Sequence, residues 1–328
     1  EMTYQVLNLF EIKPDLDLDI MKKDQTLDYL VTSTLSLVSK DLKKYRPEIV
    51  LVQGDTSTAF VGALAAFYLK IPVGHVEAGL RTDDLFNPFP EEANRRLISQ
   101  ISSLHFAPTL RSKKALEDSS VKGKIFLTGN TVVDALSLMK NKIKKIDIEG
   151  INWVEQKVIL MTLHRRENIG EPLKTIAKGI VKVLNKHKDS VLLLPMHRNP
   201  KTREILKEVF DSHSRAVLVE PLDYERLLSA MNYCTLIITD SGGLQEEAPS
   251  FSKPVLVVRT TTERLEAIET GTAKLIGTST DSVFEHTNRL LIDEKEYSFM
   301  ANSINPFGDG KASDRILECC QKYLFPKQ

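Results

Sequence analysis

The sequence predicts an α/β protein with two Rossmann-like, doubly wound parallel-sheet domains. Short, nearly continuous apolar runs such as "IVLV" (49–52) and "VLLLPM" (191–196) alternate with amphipathic stretches of helical length. Such runs are typical of parallel strands that are buried on both faces, and their alternation with helices indicates a doubly wound sheet. The length of 328 residues is enough for two domains of ordinary size.

The apolar runs are predicted strands, and each leads into a helix. In the first part of the chain, the strands are expected at 49–52, 71–76 and 124–130. Five further strands are expected at 158–163, 191–196, 216–220, 236–239 and 254–258.

Strand–helix alternation stops between 131 and 157, where a helix is followed by a polar connection. We therefore expect a first domain over residues 1–130 and a second domain over 131–312; one domain with a long surface excursion is the alternative. Residues 313–328 are expected to form a C-terminal helix that packs back on the first domain. The chain opens in a helix-like segment where a doubly wound domain normally has its central strand, so we expect the first strand–helix–strand unit to be missing.

Composition excludes several classes of function. Lysine plus arginine (44) balances aspartate plus glutamate (44), so no overall field attracts nucleic acid or an anionic membrane. No apolar run approaches the roughly 20 residues that span a bilayer. Three cysteines are too few for a disulfide framework and favour the cytoplasm, and no His/Cys cluster has the spacing of a metal site.

Two acids in the first domain follow predicted strands. Asp55 lies in "QGDTST" (53–58) and Glu77 in "GHVEAGLRT" (74–82). The carboxyl ends of parallel strands share one edge of the sheet, where ligands bind in this fold class. Each acid has an alternative role, as a helix cap for Asp55 and as a salt-bridge partner of Arg81 for Glu77.

A third acid begins a predicted helix in "NPFPEEANRR" (87–96). Glu91 and Arg95 are four residues apart and so share a helix face. Spacing alone favours a surface ion pair; the functional interpretation is a carboxylate whose protonation is tuned by a fixed cation.

Basic residues follow two strands of the second domain. "LHRREN" (163–168) contains His164 and Arg165, and "MHRNP" (196–200) contains His197 and Arg198. These side chains could supply a titrating group and phosphate ligands, although polar loop residues are often only solvated.

The segment "TDSGGLQEE" (239–247) joins a strand to a helix. The N–H groups of Ser241, Gly242 and Gly243 can hold phosphate, and Glu246 or Glu247, one turn deeper, can accept hydrogen bonds from ribose hydroxyls. Arg264, near the next strand end, could balance the charge of a diphosphate. Together these features predict a nucleotide site.

In order along the chain, "GDTST", "GHVEAGLRT", "PEEANRR", "TGNTVVDAL", "HRREN", "TDSGGLQEEAPS", "TTER" and "NPFGDG" resemble motifs of the bacterial non-hydrolysing UDP-N-acetylglucosamine 2-epimerases. The resemblance implies a GT-B architecture with the active site in the cleft between two domains. It also implies a homodimer without a cofactor that interconverts UDP-N-acetylglucosamine and UDP-N-acetylmannosamine, a precursor of cell-envelope polysaccharides, by elimination and re-addition of UDP.

The resemblance also implies roles for individual residues. Asp55, Glu77 and Glu91 would be the catalytic carboxylates, Arg95 would position Glu91, and His164 would act near the diphosphate.

For the nucleotide, the resemblance assigns Ser241, Gly242 and Gly243 to the phosphates, Arg264 to the diphosphate and Glu247 to the ribose. The family's usual Asp and Pro in the "TTER" segment are replaced here by Thr260 and Leu265. Its N-terminal Gly-Thr-Arg-Pro-Glu turn would belong to the arm that we expect to be missing. Three alternatives stay open: a GT-B glycosyltransferase, a hydrolysing epimerase, and a catalytically impaired form that binds nucleotide sugars.

Overall fold

The computed structural model describes residues 2–22, 25–82, 84–140 and 142–326. Two parallel sheets organise these residues. The first sheet has four strands in the order β1-β2-β3-β4, and the second has six in the order β10-β9-β8-β5-β6-β7. The strands are β1 (Val50–Gln53), β2 (Val73–Val76), β3 (Leu104–Ala107), β4 (Lys124–Leu127), β5 (Lys157–Thr162), β6 (Ser190–Pro195), β7 (Ala216–Val219), β8 (Leu236–Thr239), β9 (Val255–Val257) and β10 (Ala273–Leu275).

Helices connect the strands, as the alternating pattern predicts. The α-helices are α1 (Met2–Leu9), α2 (Leu27–Tyr45), α3 (Ser57–Tyr68), α4 (Glu91–Ile101), α5 (Leu110–Asp118), α6 (Thr131–Lys140), α7 (Glu171–Lys186), α8 (Pro200–Phe210), α9 (Tyr224–Tyr233), α10 (Gly242–Glu247), α11 (Leu265–Glu269), α12 (Thr280–Ile292), α13 (Glu294–Asn302) and α14 (Ala312–Leu324). None of these helices is both long and apolar enough to span a bilayer.

The chain divides into two compact units. The first unit takes in the described residues of 14–135 and 307–328, and the second those of 1–13 and 136–306. Each unit contains one sheet, so the α/β prediction with two parallel sheets is confirmed.

The division differs from the boundaries drawn on the sequence. Helix α1 groups with the second unit because it contacts α9, whereas the sequence placed it in the first domain. Residues 307–312 group with the first unit because the Asn130 N–H donates to the Phe307 carbonyl and the Ala312 N–H to the Asp134 carboxylate. Helix α6 crosses the division, which falls between residues 135 and 136.

The first unit has an apolar layer under its C-terminal helix. Ile316 and Cys320 of α14 pack with Val76, Leu104 and Phe106 of β2 and β3. One turn apart on the helix, Ile316 and Cys320 share the face that meets the sheet. This contact closes one face of the four-stranded sheet.

The second sheet reverses its winding between β5 and β8. The chain runs from β5 outward through β6 to β7, and then returns to place β8 on the other side of β5. In doubly wound sheets, ligands bind at the carboxyl ends of the strands where this reversal occurs. The loops that start at Leu163 and Asp240 leave the sheet at this point, because Thr162 and Thr239 are register partners.

Candidate active site

Asp55 of the first unit is held in place by helix α4. It follows β1 through Gly54, whose positive φ of 71° turns the chain at the end of the strand. The Asp55 carboxylate accepts hydrogen bonds from Arg95 Nε at 2.8 Å and from Arg95 Nη2 at 2.7 Å. Asn94 Nδ2 donates to the Asp55 carbonyl at 2.8 Å. Thr56, not Asp55, is the residue whose side chain caps α3, so the capping alternative for Asp55 is wrong.

The predicted pairing of Arg95 with Glu91 is also wrong. Arg95 Nη1 lies 3.1 Å from Glu92, and the rest of its guanidinium group contacts Asp55. Arg95, Asn94 and Glu92 all lie on the buried face of α4, whereas Glu91 is only half-buried. The burial of Arg95 directs its side chain toward the sheet edge rather than along the helix surface. A four-residue spacing permits an ion pair but does not form one.

Glu92 is a structural anchor that the sequence analysis missed. Its side chain is fully buried and accepts hydrogen bonds from the Thr82 N–H at 3.0 Å and from Arg96 Nε at 2.8 Å, besides its ion pair with Arg95. Glu92 precedes the two arginines by three and four residues, and this spacing is the signal that could have identified it. The loop before α4 is thereby tied to the helix that holds Asp55.

Glu77 follows β2 in a strained backbone conformation. Its φ is 62°, in the left-handed region that non-glycine residues rarely adopt and that is often found at functional sites. A Cβ placed on Gly54 would lie 3.9 Å from Glu77 Oε2, so the Glu77 carboxylate lies beside the turn that carries Asp55. Gly79 has a φ of 94°, and a Cβ there would lie 2.2 Å from the Ser112 carbonyl. Glycine is therefore required two residues after Glu77.

His75 contacts the turn at Gly54 that carries Asp55. Its ring is fully buried, and Nε2 lies 2.9 Å from the Gly54 carbonyl, which can only accept a hydrogen bond. Burial lowers the pKa of His75 to about 4, so the ring is neutral near pH 7. His105 is the register partner of His75 on β3 and is also fully buried. The first unit therefore places Asp55, Glu77, Arg95 and His75 at one edge of its sheet.

In the second unit, Asp240 organises the loop that carries His164. The Asp240 carboxylate is fully buried at the end of β8 and accepts the His164 N–H at 3.0 Å, the Arg165 N–H at 3.0 Å and Asn168 Nδ2 at 2.9 Å. His164 Nδ1 lies 3.1 Å from the same carboxylate. Burial opposes ionisation, but these donors outweigh it and lower the pKa of Asp240. The sequence analysis missed Asp240, although its position directly after a buried strand was visible.

Three arginines of the second unit converge on Glu263. Arg165 Nη2 lies 3.2 Å, Arg259 Nη1 2.8 Å and Arg264 Nη1 3.5 Å from its carboxylate oxygens. Burial would raise the pKa of Glu263, but hydrogen bonding to its own backbone N–H and the charges of Arg259 and Arg264 hold it at about 2. Arg259 also pairs with Glu167 at 3.2 Å and Arg264 with Glu246 at 2.8 Å, so three carboxylates balance the three arginines. The cluster nevertheless concentrates three guanidinium groups at one place, as the binding of a phosphate group requires.

The start of α10 differs in detail from the prediction. The Ser241 N–H donates to Thr239 Oγ1 at 2.9 Å, so one of the three N–H groups predicted to hold phosphate already has a partner within the chain. Gly242 begins the helix, and the Arg264 guanidinium carbon lies 3.4 Å from where a Cβ on Gly242 would be. Gly243 is exposed. The glycine N–H groups and Arg264 are thus grouped at one helix end.

The two glutamates of α10 have different environments. Glu246 is buried and accepts a hydrogen bond from Arg264 Nε at 2.8 Å, so its carboxylate is already paired. Glu247 is half-buried, and burial together with the charge of Glu246 raises its pKa to about 7. Of the pair, Glu247 is the acid that can still face a ligand.

His197 and Arg198 follow β6 and are exposed. His197 Nδ1 accepts the Asn199 N–H at 3.2 Å, and Arg203 Nε donates to the His197 carbonyl at 3.1 Å. These contacts order the backbone of the loop but leave the Arg198 side chain in solvent. The second unit therefore brings together the loops after β5 and β8, with the loop after β6 as their neighbour in the sheet.

Both sheets carry their polar candidates at the carboxyl ends of parallel strands, which defines a ligand-binding α/β protein. The sequence model of the UDP-N-acetylglucosamine 2-epimerase family matches residues 1–321. The UDP-N-acetylglucosamine 2-epimerase of Neisseria meningitidis serogroup A is 46% identical over 330 residues, covering 98% of this chain and 89% of that protein. The Escherichia coli K12 enzyme of the same name is 43% identical over 327 residues, covering 97% and 87%. The chain belongs to the UDP-N-acetylglucosamine 2-epimerase family.

Solved structures show the same relationship. The Neisseria meningitidis enzyme bound to UDP-GlcNAc superimposes with a TM-score of 0.88 at 46% identity, covering 98% of this chain and 89% of that one. The Methanocaldococcus jannaschii enzyme in complex with UDP-GlcNAc and UDP gives a TM-score of 0.77 at 35% identity, covering 97% and 87%. The fold is therefore of the GT-B type, as the resemblance implied.

Proposed function

We propose that this chain interconverts UDP-N-acetylglucosamine and UDP-N-acetylmannosamine without hydrolysis. The observation that carries the proposal is the acid cluster of the first unit, where Asp55 is fixed by Arg95 and lies beside Glu77. Relatives named UDP-N-acetylglucosamine 2-epimerase, at 43–46% identity over nearly the whole chain, support the choice of substrate.

Inversion at the carbon that bears the acetamido group requires two proton transfers on opposite faces. A base removes the carbon-bound proton while the bond from the anomeric carbon to UDP breaks, which gives a 2-acetamidoglucal and UDP. UDP then adds back as an acid delivers a proton to the other face. We assign these transfers and the stabilisation of positive charge at the anomeric carbon to Asp55, Glu77 and Glu91. The Arg95 guanidinium fixes the orientation of the Asp55 carboxylate.

The nucleotide is assigned to the second unit. Arg264 and Arg165 would bind the diphosphate, together with the N–H groups of Gly242 and Gly243. The ribose hydroxyls would donate to Glu247. This assignment is supported by the convergence of Arg165 and Arg264 on Glu263.

Three further residues complete the assignment. His164 would act at the diphosphate as it leaves and returns, and the exposed His197 and Arg198 would contact the same ligand from the loop after β6. The product would serve as a precursor of cell-envelope polysaccharides, and the active form would be a homodimer.

The proposal is tested by incubation with UDP-N-acetylglucosamine in deuterated water. Reversible proton exchange places deuterium on the acetamido carbon of both epimers, which NMR and mass spectrometry detect. We expect Asp55→Asn and Glu91→Gln to lower turnover by about 10² to 10⁴ and leave UDP affinity nearly unchanged. Glu117→Gln is the matched control, because Glu117 is exposed and its carboxylate lies 3.8 Å from Lys113 Nζ in a surface ion pair.

The alternatives predict different products. Free N-acetylmannosamine with stoichiometric UDP would indicate a hydrolysing epimerase, and a sugar transferred to an added acceptor would indicate a glycosyltransferase. Tight UDP binding with no deuterium incorporation would indicate a nucleotide-sugar-binding form without catalysis. Full activity of Asp55→Asn would refute the assignment of the acids.

A further inference from the structure

We propose that Asp240 is a positioning residue that locks His164 as the Nδ1–H tautomer and leaves Nε2 as the functional nitrogen. The proposal rests on the function proposed above, in which His164 acts at the diphosphate. It concerns Asp240, a residue to which neither the sequence motifs nor the acid cluster assigned a role.

The geometry restricts the tautomer. His164 Nδ1 lies 3.1 Å from Asp240 Oδ1, and a carboxylate accepts but does not donate hydrogen bonds. Nδ1 must therefore carry the proton in the neutral ring. The depressed pKa of Asp240 keeps this carboxyl group ionised near pH 7. The His164 side chain is 43% exposed, so the edge of the ring opposite the buried carboxylate faces outward.

The fold places the two residues together without help from ligand. Asp240 follows β8 and His164 follows β5, and these adjacent strands are paired through Thr162 and Thr239. The backbone N–H groups of His164 and Arg165 also donate to Asp240, which prevents the loop from rotating the ring away. A histidine held in this way can take up a proton on Nε2 and donate it to a phosphate oxygen, while Asp240 balances the imidazolium charge.

The substitution Asp240→Asn should change the tautomer of His164. Oδ2 of Asp240 accepts from the Arg165 N–H at 3.0 Å, from Asn168 Nδ2 at 2.9 Å and from the His164 N–H at 3.1 Å. Oδ1 accepts from the His164 ring and shares the His164 N–H, at 3.0 Å. An amide has one oxygen, and the three donors at the Oδ2 position retain it. The amide NH₂ group then faces His164 Nδ1, which must become an acceptor, so the ring changes to the Nε2–H tautomer.

The experiment uses the full chain labelled with ¹⁵N-histidine and long-range ¹H–¹⁵N correlation spectra at pH 8. His164→Gln identifies the His164 signals. We expect the Nδ1–H pattern in the unmodified protein and the Nε2–H pattern in Asp240→Asn, with turnover lowered at least tenfold in that variant. Asp189→Asn is the matched control: it removes the same charge from a half-exposed pair with Lys157 in the same unit, and it should change neither the tautomer nor turnover.

Two results would overturn the inference. One is an Nε2–H pattern for His164 in the unmodified protein, which needs no variant and so does not depend on whether Asp240→Asn folds. The other is an unchanged tautomer in folded Asp240→Asn. A double variant with His164→Gln and Asp240→Asn should lose less than threefold beyond His164→Gln alone, because both act through one ring. If His164→Gln keeps full turnover while the Nδ1–H pattern is present, the role proposed for His164 fails and the tautomer inference stands.

Discussion

Replacing Arg95 by methionine removes the cation that holds Asp55 and Glu92 and keeps much of the side chain's volume. The Arg95 side chain is 8% exposed, Asp55 24% and Glu92 0%. Removal of one partner from a buried ion pair costs about 3–5 kcal/mol. Glu92 keeps Arg96 and the Thr82 N–H, and Asp55 keeps some solvent, so we expect a loss of about 3 kcal/mol in the unfolding free energy of the first unit.

Double-mutant cycles measure directly which acid is coupled to Arg95. The Arg95–Asp55 cycle, with Arg95→Met and Asp55→Asn, should yield a coupling energy of about 1–3 kcal/mol, because the groups are in contact. The Arg95–Glu91 cycle, with Glu91→Gln, should be additive within about 0.5 kcal/mol, because the structure places the Arg95 guanidinium on other acids. Sequence spacing alone predicts the opposite order.

The assay is urea unfolding followed by far-ultraviolet circular dichroism. Trp153, the single tryptophan, lies in the second unit, so its fluorescence reports that unit separately and serves as an internal control. Arg95→Met should shift the circular dichroism transition and leave the fluorescence transition in place. A larger coupling of Arg95 to Glu91 than to Asp55 would refute the pairing described here.

Three further predictions concern Gly79, two buried histidines and Glu247. Gly79→Ala should lower the unfolding free energy by about 4 kcal/mol or more, since its Cβ would lie 2.2 Å from the Ser112 carbonyl; a melting temperature within 2 °C of the parent would contradict this. Burial lowers the pKa values of His75 and His105 from 6.5 to about 4, so the unfolded chain binds protons at a higher pH than the folded chain does. The unfolding free energy should therefore fall by roughly 3 kcal/mol per ring as the pH is lowered from 6.5 to 4. An unfolding free energy that does not change over this pH range would contradict the prediction. Burial raises the pKa of Glu247 to about 7. In the proposed nucleotide site, only the ionised Glu247 carboxylate would accept hydrogen bonds from both ribose hydroxyls. Calorimetry should therefore show UDP-N-acetylglucosamine affinity rising between about pH 6 and 8, and Glu247→Gln should abolish the rise.

Uninterrupted apolar runs made most strands predictable, whereas two strands with a polar residue in the run were not predicted. The predicted runs at 158–163 and 191–196 correspond to β5 and β6, each six residues long. Strands β3 (Leu104–Ala107) and β10 (Ala273–Leu275) were not predicted, because a polar residue, His105 or Lys274, interrupts each apolar run. The burial of His105 could not be foreseen from a polar residue in a short run.

Strand ends were predictable because topology fixes them. In a parallel sheet, a polar residue that directly follows an apolar run lies at the carboxyl edge whatever its partners are, which located Asp55, Glu77 and His164. Partners were not predictable in the same way. The partners of a side chain depend on which face of a helix is buried and on how adjacent strands are paired. Neither feature can be read directly from the sequence.

Glu92 and Asp240 are two buried partners that the sequence analysis missed and that bear on function. Both are fully buried carboxylates, and each accepts hydrogen bonds from at least three donors in its own unit. Both acids are too buried to face a ligand, but each helps to orient a more exposed residue. Glu92 holds the buried Arg95, which orients Asp55, and Asp240 holds His164. Buried acids are costly unless donors surround them, so a fully satisfied one next to a strand end indicates that the neighbouring side chain must keep one orientation. We therefore expect variants of these two acids to impair turnover more than ligand binding.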